Sequence, residues 1–241
     1  MLKIAFVSQP EYFRFTYEHD LDALGEVKEF LFNFSMEEKD LIDVVEYDAD
    51  IYFFFRGEFF PDNLLKKIHG IKVCLSSEPF PSLVDGKLNY TVDSILRYKT
   101  FRQVKGKSFD FIFHYDQSSL PFLEKDGIKV SGGFPFPVAT GIYRKKNLEK
   151  KWDFFFIGRS TPRRERFFGA LKHKYKFLHI CHGVWGEDLV NYANQSKILL
   201  NVHAENEISW EPRVQMLMAT GNLVISETIS RNSLLVPGQD Y

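Results

Sequence analysis

The chain has 241 residues, a formal net charge of −1, 44% hydrophobic residues and 26% charged residues. These are values of an ordinary globular protein with apolar material for one large core or two small ones, and they exclude a global electrostatic pull toward nucleic acid or anionic lipid. Two cysteines, Cys74 and Cys181, each lie in an apolar run, which excludes a disulfide framework or zinc pattern and predicts buried free thiols.

Residues 2–8 alternate in polarity directly after Met1 and read as a strand, not a signal peptide. No apolar stretch approaches the ~20 residues of a membrane span, so a cytoplasmic protein is expected. Residues 16–24 read as a helix closed by Gly25, and 27–33 as a second strand. Ser35 is placed to cap a helix with Glu37, Glu38 and Asp40 in its first turn and Leu41, Val44 and Val45 on its apolar face. Residues 50–56 form the third strand; Phe53-Phe54-Phe55 suits a strand buried on both faces. A helix over 61–69 and a strand over 71–76 follow. Residues 79–104 read as mostly helical, 109–114 as a strand, 118–125 as a helix and 128–131 as a short strand.

Gly132-Gly133-Phe134-Pro135-Phe136-Pro137 reads as irregular and marks the end of a first lobe, residues 1–140. Residues 141–151 read as a linker, since Tyr143 to Lys151 carries five lysines and arginines and no apolar period. The pattern restarts in a second lobe, 152–241, with strands at 153–157, 177–181, 197–203 and 222–226 and helices at 162–175, 187–194 and 212–220. Strands alternating with helices predict an α/β protein. Two Rossmann-like, doubly wound parallel-sheet lobes imply a cleft between them, with ligands outside the carboxyl ends of the strands.

Four segments carry a resemblance. They are Asp153-Phe154-Phe155-Phe156-Ile157-Gly158-Arg159, Gln195 to His203, Glu211-Pro212-Arg213, and Ala219 to Glu227. In that order the chain resembles the C-terminal domain of group 1 glycosyltransferases of the GT-B fold, nearest the spore-maturation-type branch, over roughly residues 105–241. The resemblance implies an N-terminal acceptor lobe and a C-terminal lobe that holds a nucleotide-diphosphate sugar. It also implies transfer of the sugar to an acceptor: a glycan, lipid, protein or modified nucleic acid. Two features depart from the family. Where many retaining members place the second of two glutamates, this chain has Met216, and it stops at Tyr241, before the family's last strand and crossing helix. The C-terminal lobe is therefore expected to be incomplete, and a non-catalytic nucleotide-sugar or glycan-binding module stands as an alternative. A sugar-nucleotide epimerase is a third reading.

A nucleoside diphosphate leaving group is neutralised by placed cations and helix N-terminal N–H groups, without a metal or other cofactor. Arg159, Arg163 and Arg164 stand where strand 153–157 gives way to a helix, and a guanidinium grips phosphate oxygens in a bidentate way. A solvated basic helix start is the alternative. On the family reading Gly158, Asn201, His203 and Glu227 are donor contacts, and Glu211 and Arg213 meet the donor sugar and its phosphates. For His203 the alternative is a bond to a neighbouring loop. His182 and Gly183 belong to a loop in which Trp185 is a platform for a nucleobase or a packing residue. Residues 228–233 are hydroxyl-rich and suit a phosphate loop. If the anomeric centre is inverted, Glu78, His19 and Asp116 are candidate bases. Asp48-Ala49-Asp50 precedes an apolar strand and reads as a turn, not a metal pair. No Walker loop and no G-x-G-x-x-G appears after the first strand, which removes the common NTPase and NAD readings.

Overall fold

The apolar runs become strands wherever both of their faces find cover. The computed structural model describes residues 1–17, 24–205, 212–230, 235–236 and 238–240. It divides the chain into two units, Met1–Phe13 with Asp20–Pro135, and Arg14–His19 with Phe136–Tyr241. The first boundary thus falls at Pro135, a few residues before the expected one.

In the first unit the chain runs β1 (Lys3–Ser8), α1 (Pro10–Phe13), β2 (Glu26–Leu31), α2 (Ile42–Glu46), β3 (Ile51–Phe55), α3 (Asp62–Leu65) and β4 (Ile71–Ser76). It continues through β5 (Ser82–Val84), β6 (Lys87–Asn89), α4 (Val92–Phe101), β7 (Phe111–His114), α5 (Leu120–Lys125) and β8 (Gly132–Gly133). Six of these strands form a parallel sheet in the order β2-β1-β3-β4-β7-β8. Alternate side chains of β1 and β3, among them Ala5, Val7, Tyr52 and Phe54, pack with Leu41, Val44, Leu64 and Leu65. Phe6 stacks on Phe53 at 5.3 Å, from positions of the opposite parity.

The second unit runs β9 (Trp152–Ile157), α6 (Pro162–Lys174), β10 (Phe177–Ile180), α7 (Gly186–Asn194), β11 (Ser196–Asn201), α8 (Pro212–Ala219) and β12 (Leu223–Ser226). Its sheet is parallel, in the order β10-β9-β11-β12. The consecutive residues Phe155 and Phe156 show how it is covered on both faces. Phe155 packs with Leu189, Val190 and Leu217 from α7 and α8, and Phe156 packs with Phe168 from α6. This is the doubly wound arrangement that the aromatic run predicts. Each unit begins on an inner strand, adds its second strand to one side and the rest to the other. The order therefore reverses between β1 and β3 and between β9 and β11.

Several elements differ from expectation for local reasons. Ser35 bonds Asn33, and the turn entering α2 is capped by Glu37 and Asp40 instead. Residues 79–104 are not mostly helical: Asp85 (φ 51°) and Gly86 (φ 75°) make a left-handed turn that folds β5 against β6. Gly132 and Gly133 are regular after all, pairing with Phe113 and His114, while 128–131 is not a strand. The helix expected over 16–24 lies largely outside the described residues; Arg14–Thr16 is a 3₁₀ turn. The basic stretch 144–151 has no regular element but is fastened to the second unit, where Lys150 Nζ donates to Asn194 O, Ser196 O and Asn222 Oδ1, each at 2.8 Å. Cys74 is buried as expected; Cys181 is exposed, because β10 ends one residue before it. Asp48 is a left-handed turn residue (φ 52°), and Asp50 accepts the Lys3 N–H at 2.7 Å.

Two glycines separate space from propensity. A Cβ on Gly70 would lie 2.0 Å from the Ala49 carbonyl oxygen, a backbone atom that cannot step aside, whereas a Cβ on Gly169, inside α6, meets nothing within 4 Å. Gly70→Ala is expected to lower the unfolding free energy by on the order of 2 kcal/mol, and Gly169→Ala to raise it by about 0.5–1 kcal/mol. Urea unfolding of both variants checks this.

Candidate functional site

Ligands of doubly wound sheets bind beyond the carboxyl ends of the strands, where the strand order reverses. In the second unit that point lies between the exits of β9 and β11. Gly158 leaves β9 with φ +142°, and a Cβ there would stand 2.7 Å from Arg213 Nη1, so the arginine approaches the chain where only glycine leaves room. Arg213, in the first turn of α8, donates from Nη1 to Ile157 O at 2.9 Å and from Nε to Asn201 Oδ1 at 3.0 Å. Asn201 is fully buried and donates from Nδ2 to Ser226 Oγ at 2.9 Å, which ties β11 to β12.

Arg164, in the first turn of α6, makes the matching link. It donates to Val202 O and to Arg159 O, both at 2.9 Å. Its burial is tolerable because its planar donors meet fixed carbonyls and an aromatic face. The guanidinium carbons of Arg164 and Arg213 lie 5.0 and 5.2 Å from the centroid of Phe156, within cation–π range. Arg159 itself is exposed, just outside this brace.

Arg163 and Glu227, predicted as separate donor contacts, bond each other. Arg163 Nη1 donates to Glu227 Oε2 at 2.9 Å, Nη2 donates to Oε1, and Nη1 also reaches His203 O at 3.0 Å. Glu227 Oε2 accepts the His203 N–H at 2.6 Å. Burial raises the Glu227 pKa, but the hydrogen bonds from Arg163 and the His203 amide outweigh it and hold the carboxyl below its ordinary value. The His203 ring is buried, lies past the end of β11, and bonds Thr228 O at 2.9 Å, which is the neighbouring-loop alternative. His182 and Gly183 are exposed at the exit of β10, and Trp185 is 47% exposed. His179, which the sequence did not single out, fastens that exit to the brace through Gly158 O at 2.8 Å. Glu211, His19 and residues 231–233 lie outside the described residues.

The candidate bases of the first unit are held otherwise. Asp116 caps a turn, accepting the Ser118 N–H at 2.9 Å and its hydroxyl at 2.8 Å. Glu78 is ion-paired with Arg56 and Arg97. His114, at the end of β7, was missed as a candidate. It is fully buried, stacks on Phe80 at 4.6 Å, meets Ser76 Oγ at 3.1 Å through Nδ1, and leaves Nε2 without a partner. Burial lowers its pKa to about 3, so it is neutral at physiological pH. Among the described residues no group of three or more His, Cys, Asp or Glu could hold a metal ion, and no helix is long and apolar enough to cross a membrane.

No protein-family model matches the chain. No curated protein sequence matches it either. Among solved structures, one described as a candidate UDP-N-acetylglucosamine 2-epimerase from Listeria monocytogenes is similar to it. The match covers 92% of this chain and 78% of that one, at a TM-score of 0.46 and 8% sequence identity.

The Arg163–Glu227–His203 ring has a pH signature. Because the folded pKa of Glu227 is depressed, its stabilisation is present above the unfolded value of ~4.3 and is lost as pH falls through the folded value. Glu227→Gln is expected to cost about 1–3 kcal/mol at neutral pH. The gap to the parent chain should close as the solution is acidified below pH ~4. Urea unfolding at several pH values measures it.

Proposed function

We propose that the chain is a glycosyltransferase that takes a sugar from a nucleotide-diphosphate sugar held by its second unit. The observation that carries this reading is the brace at the point where the strand order reverses, with Gly158, Asn201 and Arg213 drawn together between β9 and β11. A diphosphate leaving group needs cations and N–H donors that are already in place when charge develops, because reorganising them would add to the barrier. Arg213, fixed by Ile157 O, Asn201 and Phe156, is such a cation, and the exposed Arg159 stands just before the start of α6. Arg164 and the Arg163–Glu227 pair then act as positioning residues that hold the loops after β9, β11 and β12. The exposed loop at His182, Gly183 and Trp185 offers a ring face for the base. Glu211 belongs to the same reading through its sequence position, two residues before Arg213.

A ligand that binds only the folded state raises the melting temperature by mass action. Of UDP, GDP, CDP, dTDP and ADP with their sugars, one base is expected to give a selective shift. Arg159→Ala changes an exposed side chain, and thermal unfolding of the unliganded variant verifies that it folds. It should weaken that nucleotide by about tenfold, the loss expected of a charged hydrogen bond. An unchanged affinity by calorimetry would remove Arg159 from the site. Product formed from the nucleotide sugar alone, with no acceptor present, would replace transfer with epimerisation.

A further inference from the structure

The first unit's sheet is incompletely zipped at its last strand. β8 is two residues long, so its pairing with β7 begins only at Phe113 and Gly132. One step earlier Ser131 still holds Ile112, donating its N–H to the Ile112 carbonyl at 2.7 Å and accepting the Ile112 N–H on Oγ at 3.2 Å. Before those residues no hydrogen bond among the described residues joins the two stretches. A groove of about 580 Å³ opens there, between residues 104–107, the start of β7 and residues 127–131. That volume falls in the range of small-molecule sites, ~300–1,000 Å³. The groove lies at the amino-terminal end of β7, opposite the strand exits where doubly wound sheets hold their usual ligands.

One part of the lining is apolar. Val104 and Ile128 are buried core residues, Phe109 and Val130 pack beside them, and Phe111 is 45% exposed. Two left-handed glycine turns bound the groove, at Gly106 (φ 79°) and Gly127 (φ 77°). A Cβ on either would meet nothing within 4 Å, so the rims are bare backbone with open space beside them.

The charged part of the lining is cationic: Lys105, Lys107 and Lys129 against Asp110. Each carboxylate near these lysines has a second cation of its own. Asp110 pairs with Lys72 at 3.0 Å, and Asp126, which bonds Lys105, pairs with Arg102 at 3.0 Å. Of the two carboxylates near Lys107, Glu58 pairs with Arg56 at 2.6 Å and Asp62 with Lys66 at 2.7 Å. The positive charge of the lining is therefore not cancelled by its surroundings. Lys107 Nζ donates to two neutral acceptors, the Glu58 and Phe60 carbonyls, both at 2.6 Å. Burial pulls its pKa below the ordinary value, the direction of an ammonium short of compensating charge. Lys129 is exposed and has no hydrogen-bond or ion-pair partner among the described residues. An inorganic anion has no apolar body to use the phenylalanine and valine surface, and a cation is repelled by the lysines. A carboxylate on an alkyl or aryl body meets both parts of the lining. We propose that this groove binds an apolar monocarboxylate, a short fatty acid or an arylalkanoate, with its carboxylate met by Lys129 and its body against Phe109, Phe111 and Val130. The site belongs to the first unit alone and does not rest on the transferase reading.

The test uses the whole chain without nucleotide, titrated by calorimetry and by amide NMR with octanoate and with 3-phenylpropionate. Octanamide keeps the shape of octanoate without its charge, octylamine reverses the charge, and acetate lacks the body. At least one of the two carboxylates should bind with one-to-one saturation, and its shift changes should gather at residues 104–112 and 127–131. Octanamide should bind about tenfold more weakly than octanoate, the loss expected of a charged hydrogen bond, and octylamine and acetate more weakly still. Lys129→Gln should weaken the carboxylate by about tenfold and leave octanamide where it was, whereas Lys129→Arg should restore the carboxylate. Thermal unfolding verifies that both variants fold. No saturable carboxylate binding, octanamide or octylamine binding as tightly as octanoate, shift changes elsewhere in the chain, or an unchanged affinity in folded Lys129→Gln would overturn the site. Carboxylate binding by a chain that answers to no nucleotide would leave this site standing and remove the transferase reading, and a nucleotide response without carboxylate binding would do the reverse.

Discussion

Phe156 is fully buried at the end of β9, with the guanidinium groups of Arg164 and Arg213 about its ring. The geometry of the second unit's carboxyl edge depends on this contact. An aromatic ring near the end of a strand gives two cations a dry surface, and the carbonyls of Ile157, at the strand's end, and of Arg159, just past it, give them acceptors. Removing the ring would leave two guanidiniums with fewer partners in a low-dielectric setting, at a cost well beyond one lost contact. The same brace fixes where the first turns of α6 and α8 stand. A charge held this way needs no rearrangement when a second charge appears beside it, which is what electrostatic preorganisation requires.

The strands were the most legible part of the sequence. The phenylalanine runs at 53–55 and 154–156 are apolar on both faces, and both became inner strands of parallel sheets. The hairpin of β5 and β6 was hidden because its strands are three residues each, too short to outweigh the surrounding helical pattern, although Asp85-Gly86 is a turn signal. Gly132 and Gly133 pair because a sheet edge was waiting for them, and composition does not register that. Cys181 was misplaced by a single residue of strand length, at the exit of an edge strand.

The site was legible in unequal measure. Gly158, Asn201 and Arg213 were singled out because they fall in a recognisable order, and the structure brings these three together. The pairing of Arg163 with Glu227 spans 64 residues and that of Arg56 with Glu78 spans 22. No periodicity reaches that far, so such pairs surface only once the chain is folded. Arg56 carries no sequence sign of its left-handed backbone, since only glycine or asparagine would announce one. The two units thus share the strand order around the reversal point and differ in what stands there: a cation braced by carbonyls and an amide in the second, a chain of ion pairs in the first.

Amide hydrogen exchange, followed with and without the nucleoside diphosphate that raises the melting temperature, tests the central claim most directly. The account predicts added protection at residues 158–164 and 182–186 and after the ends of β11 and β12, with the strand interiors unchanged. Protection confined to the first unit, or to the opposite, amino-terminal ends of β9 and β11, would contradict it.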